Sequence, residues 1–267
     1  MNIKIGLRLY TLAMMLCAGA LRADTIVDAA TFTGQFGTLD LTTGDFTLVN
    51  GSQPVLANLA TLNNTEYGVD FDTSPSSNLY SVDPNTGDLT TIGSAPVSYW
   101  DFGATLSGLY AVDNSSTFNL YSIDPTTGAA TLIGSTGVTF VIGVGSQLSS
   151  NSSTLYLAND TSLYTVNPGT GAATYIGALT NNAQFTALIV EGGVLYGYDE
   201  NNDTIDTINT STGAVTLGAT LTGTHEPLYG MANIPTSGVP EPGSLLLLGT
   251  ALGTLSVWQV RRKSVKG

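Results

Sequence analysis

A fivefold internal repeat constrains the fold of this chain more than any other feature. Each copy carries a Thr-Gly pair, and the five glycines are Gly44, Gly87, Gly128, Gly171 and Gly213, with spacings of 43, 41, 43 and 42 residues. The clearest copy reads LYSVDPNTGDLTTIG from Leu79. Repeats of this length are typical of solenoids and propellers, so the middle of the chain is predicted to be an array of one structural unit.

Each copy has the pattern of a β-hairpin. Apolar residues alternate on both sides of the Thr-Gly pair, as half-buried strands require. Four positions before each glycine stands an Asp or Asn: Asp40, Asp83, Asp124, Asn167 or Asn209. Such side chains bind the backbone two residues further on, and the glycine supplies a positive φ where the second strand begins. We therefore predict that these acids shape turns and do not bind metal.

The length of the repeat predicts a propeller. A hairpin leaves room in each repeat for a second strand pair, and four strands per about 42 residues is the size of a propeller blade. The first copy has room for only one strand before its hairpin, at about 25–29, whereas a spare strand at 228–232 follows the last copy. Pairing of these two strands would close a ring. The prediction is an all-β, five-bladed β-propeller over residues 24–235, with an open β-solenoid or a β-sandwich as the alternative.

The repeated segments resemble the propeller domains of exported bacterial proteins that repeat LYxIDPxTGxxTxIG. That resemblance covers about 210 residues of this chain. It implies the architecture and no particular activity, because propellers host many functions.

Charge is distributed unevenly along the chain. The sequence has 7 Lys and Arg and 20 Asp and Glu, with no Lys or Arg between Asp24 and Val260. A body without cations has nothing with which to neutralise phosphates, so nucleic-acid binding is not expected. Its possible partners are divalent cations, cationic surfaces and neutral glycans such as exopolysaccharide.

Residues 1–23 have the features of a secretory signal peptide. Lys4 and Arg8 precede a mostly apolar run over 9–21, which is short for a membrane span. Cleavage is expected after Ala20 or Ala23. The only cysteine, Cys17, lies in this segment, so the mature protein is expected to have no disulfide.

Three elements follow the repeats in a fixed order. A Pro- and Gly-rich linker at 236–243 precedes an uncharged segment at 244–260, and a basic tail occupies 261–267. The uncharged segment would extend about 25 Å as a helix, which is the short limit for a transmembrane helix. Its basic end would stay on the cytoplasmic side.

This tail resembles the PEP-CTERM sorting domain of Gram-negative, exopolysaccharide-producing bacteria. The residues that carry the resemblance are Val239, Pro240, Glu241, Pro242, Arg261, Arg262 and Lys263. The resemblance implies recognition by an exosortase, which is a membrane transpeptidase-like enzyme, and removal of the tail. The body would then be released or attached at the cell surface. A permanent single-span anchor is the alternative.

No catalytic motif stands out in the sequence. His225 is the only histidine, no serine lies in a G-x-S-x-G setting, and no His or Cys cluster suits zinc. The densest acid sites contain Asp70 with Asp72 and Asp199 with Asp203, and these are candidates for Ca²⁺. No other cofactor and no catalytic residue are expected.

The sequence thus predicts an exported, non-enzymatic binding or structural protein of the cell surface or matrix. The alternative is a secreted glycan hydrolase or lyase that uses carboxylates. Acids that converge on one end of the central channel would favour the enzyme, whereas scattered acids would favour the binding protein.

Overall fold

The computed structural model describes residues 25–70, 76–139, 147–150 and 154–235, with the backbone alone for 147–150. Twenty β-strands and no helix lie within these residues. No helix among them is long and apolar enough to cross a membrane. The signal peptide, the transmembrane segment and the sorting motif predicted above all lie outside the described residues, as does Asp72.

The strands form five four-stranded blades. In hydrogen-bonding order, blade 1 is β20 (Leu228–Ala232), β1 (Ile26–Thr31), β2 (Phe36–Asp40) and β3 (Phe46–Asn50). Blade 2 is β4 (Leu56–Leu62), β5 (Thr65–Asp70), β6 (Ser77–Val82) and β7 (Leu89–Ala95). Blade 3 is β8 (Tyr99–Thr105), β9 (Gly108–Asp113), β10 (Asn119–Ile123) and β11 (Ala130–Ser135). Blade 4 is β12 (Gln147–Ser150), β13 (Leu155–Ala158), β14 (Ser162–Val166) and β15 (Ala173–Ala178). Blade 5 is β16 (Phe185–Glu191), β17 (Val194–Asp199), β18 (Thr204–Ile208) and β19 (Val215–Thr220).

The predicted five-bladed propeller is therefore confirmed, and the solenoid and sandwich alternatives are wrong. The first strands of the blades, β20, β4, β8, β12 and β16, contact one another in a closed ring around the central axis. β12 and β16 even pair in parallel, Ser149 with Leu188, which joins blades 4 and 5 into one sheet.

The spare strand at the end of the repeats closes the ring as expected. β20 pairs with β1 in antiparallel register, with Asp28 opposite Ala232 and Thr31 opposite Leu228. Tyr229 is the extra residue of a bulge between these pairs. Blade 1 is thus built from both ends of the repeat region, so hydrogen bonds between sequence-distant strands hold the first and last blades together.

The hairpin turns follow the predicted chemistry in all five blades. The Asp or Asn side chain accepts the backbone N–H two residues further on, over 2.7 Å from Thr42, 2.9 Å from Asn85, 2.8 Å from Thr126, 2.8 Å from Gly169 and 2.9 Å from Ser211. Each turn glycine has a positive φ, between 71° at Gly128 and 80° at Gly171. The hydroxyl of Thr126, and then its backbone N–H, hold the pKa of Asp124 below its usual value. The prediction that these residues shape turns is confirmed.

The glycine that ends the TxIG motif serves contact between blades. A Cβ added to Gly93 would lie 2.0 Å from the carbonyl oxygen of Thr127, and one added to Gly134 would lie 2.5 Å from that of Thr170. In both cases the oxygen belongs to the hairpin turn of the next blade. Blades therefore approach one another backbone to backbone at these points, which a larger residue would prevent.

Apolar side chains between neighbouring blades form the core. The aliphatic residue five positions before each turn glycine lies in a different inter-blade cluster in every copy. These residues are Leu39, Val82, Ile123, Val166 and Ile208, and none is more than 5% exposed. One repeat position thus supplies the same packing contact five times.

Both ends of the described repeat region lie on one side of the ring. β1 begins and β20 ends there, because the two strands are antiparallel. The hairpin turn of blade 1 is on the same side, since Leu41 donates its N–H to the carbonyl oxygen of Thr25 over 3.0 Å. We call this side the terminal face, and it carries the turns 41–45, 83–88, 124–129, 167–172 and 209–214. The opposite side, the loop face, carries the connections 32–35, 51–55, 96–98, 114–118, 159–161, 179–184, 200–203 and 221–227.

The short distance between Gly134 and the backbone of Thr170 predicts that any side chain at position 134 destabilises the fold. We expect Gly134→Ala to lower the free energy of unfolding by about 1–3 kcal/mol, because its Cβ overlaps the Thr170 carbonyl of the next blade. Gly51→Ala is the control, since its Cβ would meet nothing closer than 4.0 Å. Denaturant unfolding of both variants measures the difference, and equal stabilities would contradict the proposed inter-blade contact.

Candidate functional site

Two of the acids predicted as calcium ligands, Asp70 and Asp199, end the second strands of their blades, where they hold loops. Asp70 ends β5 and accepts the backbone N–H and the side-chain Nδ2 of Asn78, each over 2.6 Å. In blade 3, Asp113 holds the corresponding loop in the same way, since it accepts Asn119 N over 2.8 Å and Asn119 Nδ2 over 2.9 Å. These hydrogen bonds, which outweigh burial, lower the pKa of Asp113. Strand-end acids are therefore parts of the loop architecture.

The structure does not bring the calcium candidates together as one set. Asp70 lies in blade 2, whereas Asp199 and Asp203 belong to blade 5. Asp199 Oδ1 accepts the N–H of Gln184 over 2.9 Å, and Asp203 accepts the hydroxyl of Tyr198 over 3.1 Å. Among the described residues, no group of three or more His, Cys, Asp or Glu side chains is arranged to hold a metal ion.

A buried polar relay links the inner strands of three blades. Asn58 of β4 donates through Nδ2 to Asp101 Oδ1 of β8 over 2.7 Å. Its Oδ1 accepts the backbone N–H of Met231 in β20 over 3.2 Å. Both Asn58 and Asp101 are fully buried. This relay ties the inner strands together. It could not be predicted from the sequence, because the inner strands share no motif.

A second polar contact lies where the closing strand ends, at the terminal face. Asn233 donates through Nδ2 to the carboxylate of Glu191, the last residue of β16. Its carbonyl oxygen accepts the hydroxyl of Thr61 over 2.6 Å. Burial raises the pKa of Glu191. Glu191 and Asp101 thus lie at different heights along the inner strands and do not form a pair at one channel mouth.

Two carboxyl groups meet between blades 1 and 2, where sequence reasoning expected none. Asp28 of β1 and Glu66 of β5 are 0% and 1% exposed. No other described residue donates a hydrogen bond to any of their four oxygens. Burial raises the pKa of Asp28 to about 6, and burial together with the charge of Asp28 raises the pKa of Glu66 well above its usual value. Two such groups cannot both ionise, so the pair retains a proton.

The repeat itself carries the signal for this pair. The pairing of the second strand with the third strand can be compared between blades. At the position that Asp28 occupies in blade 1, the other blades have Tyr67, Tyr110, Tyr156 and Tyr196. Glu66 takes the place of an aliphatic residue, such as Leu109 in blade 3. Both departures from the repeat fall at one blade interface. Aligning the copies by strand register would have revealed them, whereas the Thr-Gly motif alone does not reach them.

The loop face presents an aromatic pair beside the closing strand. The rings of Phe32 and Tyr229 lie 5.0 Å apart, and Phe32 is 44% exposed. Burial, and then the negative charge of Glu200, raise the pKa of Tyr229. His225 is exposed in the connection between β19 and β20. These residues make an apolar surface with an acid at its edge.

Comparison with known proteins identifies the fold and nothing further. No family model and no curated protein matches the sequence. A structural-genomics protein of unknown function from Bacteroides thetaiotaomicron is 16% identical with a TM-score of 0.55, over 79% of this chain and 62% of that one. This chain therefore spans less than two thirds of that protein. A chain of a nidogen/laminin complex is 12% identical with a TM-score of 0.52, over 78% of this chain and 97% of that one. At such identities the similarity shows a shared fold alone.

The Asp28–Glu66 pair predicts a pH dependence of stability. Because the folded pair binds protons more tightly than the unfolded chain, its stabilising contribution is complete below pH 4 and is lost as pH rises through 6 and beyond. A shift from 3.8 to about 6 for Asp28 alone corresponds to roughly 3 kcal/mol. We expect Glu66→Gln to unfold at a higher temperature than the wild type at pH 8 and to show a flatter pH profile.

Thermal unfolding between pH 4 and pH 8 measures this effect. Asp88→Asn is the matched control, since it removes an exposed acid that lies in a hairpin turn. The control should retain the pH slope of the wild type. A Glu66→Gln variant with the same slope as the wild type would show that the pair does not hold the proton.

Proposed function

We propose that this protein is an exported β-propeller, sorted through its C-terminal tail, that serves as a non-enzymatic binding or structural module at the cell surface or in the extracellular matrix. The observation that carries the proposal is the position of the chain ends. The ring is completed by β20, and both ends of the repeat region lie on the terminal face. A body tethered through its C-terminal end therefore leaves its loop face free for partners.

The tail supplies the route to the surface in this proposal. Pro240-Glu241-Pro242, the uncharged segment 244–260 and the basic end resemble a PEP-CTERM domain, and the basic start and apolar run of 1–23 fit export. An exosortase-type enzyme would be the processing partner. Since the compact unit extends to Ile234, cutting in the linker would leave the ring intact.

The chemistry of the loop face favours a neutral glycan as the partner. The apolar face of a sugar ring packs on accessible aromatic rings, and the exposed Phe32 with the half-buried Tyr229 beside it offers such a surface. Residues 24–260 contain no Lys or Arg with which to attract an acidic polymer. A neutral exopolysaccharide therefore fits this surface better than an anionic one, and the excess of acidic side chains also suits a cationic surface partner.

The positions of the acids favour binding over glycan hydrolysis. Asp113 holds a strand-end loop, Asp124 shapes a hairpin turn and Asp28 lies between blades. On the inner strands, Asp101 and Glu191 contact Asn58 and Asn233. Hydrolysis by an acid pair requires two carboxyl groups on opposite sides of one open cleft. Acids that are scattered over the propeller, and not gathered at one end of its channel, are expected of a binding protein.

The sorting step is tested by removing its motif. We expect replacement of Pro240, Glu241 and Pro242 by alanine to leave the tail uncut, so that the protein stays in the membrane fraction at its larger mass. Fractionation and intact-mass measurement of the exported protein follow the change. Normal trimming of this variant would refute recognition of the motif and leave the plain membrane anchor as the explanation.

Binding through the loop face is tested with an array of immobilised neutral glycans. We expect Phe32→Ala to weaken binding by about fivefold or more, since an aromatic contact contributes roughly 1 kcal/mol. Leu106→Ala is the control, because Leu106 is 67% exposed in a turn on the terminal face. Equal losses in both variants, or no neutral glycan bound by the wild type, would contradict this ligand class.

A further inference from the structure

Blade 5 departs from the repeat at a position that blades 2 and 3 use to donate a hydrogen bond to a strand-end acid. Seven residues before the turn glycine, blades 2, 3 and 4 have Tyr80, Tyr121 and Tyr164. The hydroxyls of Tyr80 and Tyr121 donate to the strand-end acids Asp70 and Asp113 over 3.3 and 3.2 Å. In blade 5 the same position is Asp206, and the strand-end acid is Asp199. A neutral donor has thus been replaced by a second carboxylate.

Three oxygen-bearing side chains gather on one face of this blade. Asp199 and Thr204 form a direct cross-strand pair between β17 and β18, and Asp206 lies two residues further along, opposite Gly197. Side chains of cross-strand pairs and of alternate residues point to the same face of a sheet. Asp199 and Asp206 are 0% exposed, and Thr204 is 9% exposed. Burial raises the pKa of Asp206, and the charge of Asp199 adds to that shift.

Two oxygens of this group have no hydrogen-bond partner. Asp206 Oδ1 accepts the N–H of Gly218 over 3.0 Å, but Asp206 Oδ2 and Thr204 Oγ1 make no hydrogen bond within the described residues. Asp199 Oδ2 accepts from Asn202 Nδ2 over 2.6 Å. Leaving buried polar atoms unpaired is costly, so this arrangement calls for a further partner. A bound cation would supply this partner, since residues 24–260 contain no Lys or Arg that could do so.

The oxygen-only composition selects the kind of cation. Carboxylate and hydroxyl oxygens suit hard ions such as Ca²⁺, whereas zinc and copper sites use imidazole or thiolate ligands. The cluster adjoins the exposed loop residues Asn201 and Asn202 on the loop face. We propose that Asp199, Asp206 and Thr204 form a calcium site in blade 5, with water completing the coordination.

A calcium ion at this place would join β17, β18 and the loop between them. Asp203, the acid that the sequence paired with Asp199, takes no part, since its carboxylate accepts from Tyr198. With two carboxylates as its charged ligands, the site belongs with the weak calcium sites of extracellular modules, for which dissociation constants of about 0.1–1 mM are typical. Under the proposed export, such a site would fill outside the cell, where free calcium is abundant, and stay empty during synthesis.

The test is a calcium titration of the purified full chain after treatment with EDTA. At about 10 mM CaCl2 the melting temperature of the wild type should rise by roughly 5 °C, and Mg²⁺ should raise it less. Asp206→Asn should abolish the rise, and Asp206→Tyr, which restores the residue of the repeat, should abolish it too. Asp88→Asn, an exposed turn acid, should retain the full rise.

Terbium luminescence supplies a second measurement that does not depend on stability. Tyr198 precedes Asp199 in β17 and would sensitise a bound Tb³⁺, and Ca²⁺ should displace that ion with the affinity seen in the titration. The signal should be lost in Asp206→Asn. An absence of any calcium effect on the wild type would overturn the site and mean that the carboxyl pair holds a proton. A calcium effect of equal size in Asp206→Asn would overturn it as well, as general binding of counter-ions to an acidic surface.

Discussion

The pairing of β20 with β1 is the interaction on which the rest of the structure depends. Blades of a propeller bury their apolar faces only against other blades, so an open array would leave two such faces in water. Here the strand contributed by the end of the repeat region completes the blade begun at its start. Asn58 of β4 then links the closing strand to the neighbouring blades, because it contacts Met231 of β20 and Asp101 of β8. Closure, inter-blade packing and the common position of the chain ends all follow from this one pairing.

Much of this architecture could be predicted from the sequence because its signals are local and repeated. The Thr-Gly spacing indicated the blade, the Asp or Asn four positions earlier indicated the turn, and the leftover strand indicated closure. The acid pairs could not be predicted in this way. Asp28 and Glu66 lie 38 positions apart, in the less regular half of their repeats, and they meet only because the ring packs one blade on the next. The sequence singles out Asp70 and Asp199 only because acidic residues are dense around them. In the structure, each carboxylate lies at the end of a strand and accepts a backbone N–H from a loop.

Residues 24–260 contain no Lys or Arg, so the carboxyl groups of this protein are stabilised by other means than salt bridges with these residues. Hairpin and strand-end acids stay ionised by accepting backbone N–H groups, as Asp124 and Asp113 do. Asp28 and Glu66 accept no other donor in the described chain and keep a proton instead. Asp206 and Asp199 combine buried oxygens with a neighbouring hydroxyl, which is the composition of a cation site. A fold without positive side chains thus depends on backbone dipoles, protons and ions for its counter-charge.

The ring's closure is also what connects the fold to the proposed function, because it places both ends on the terminal face and presents the loop face to partners. Hydrogen exchange of the backbone amides measures closure most directly. If β20 completes blade 1, the amides of β1 and β20 should exchange as slowly as those of the inner strand β4, in one cooperative unit with global unfolding. Fast exchange of β1 and β20 beside a protected β4 would show that the ring opens at this pairing, and would contradict the account.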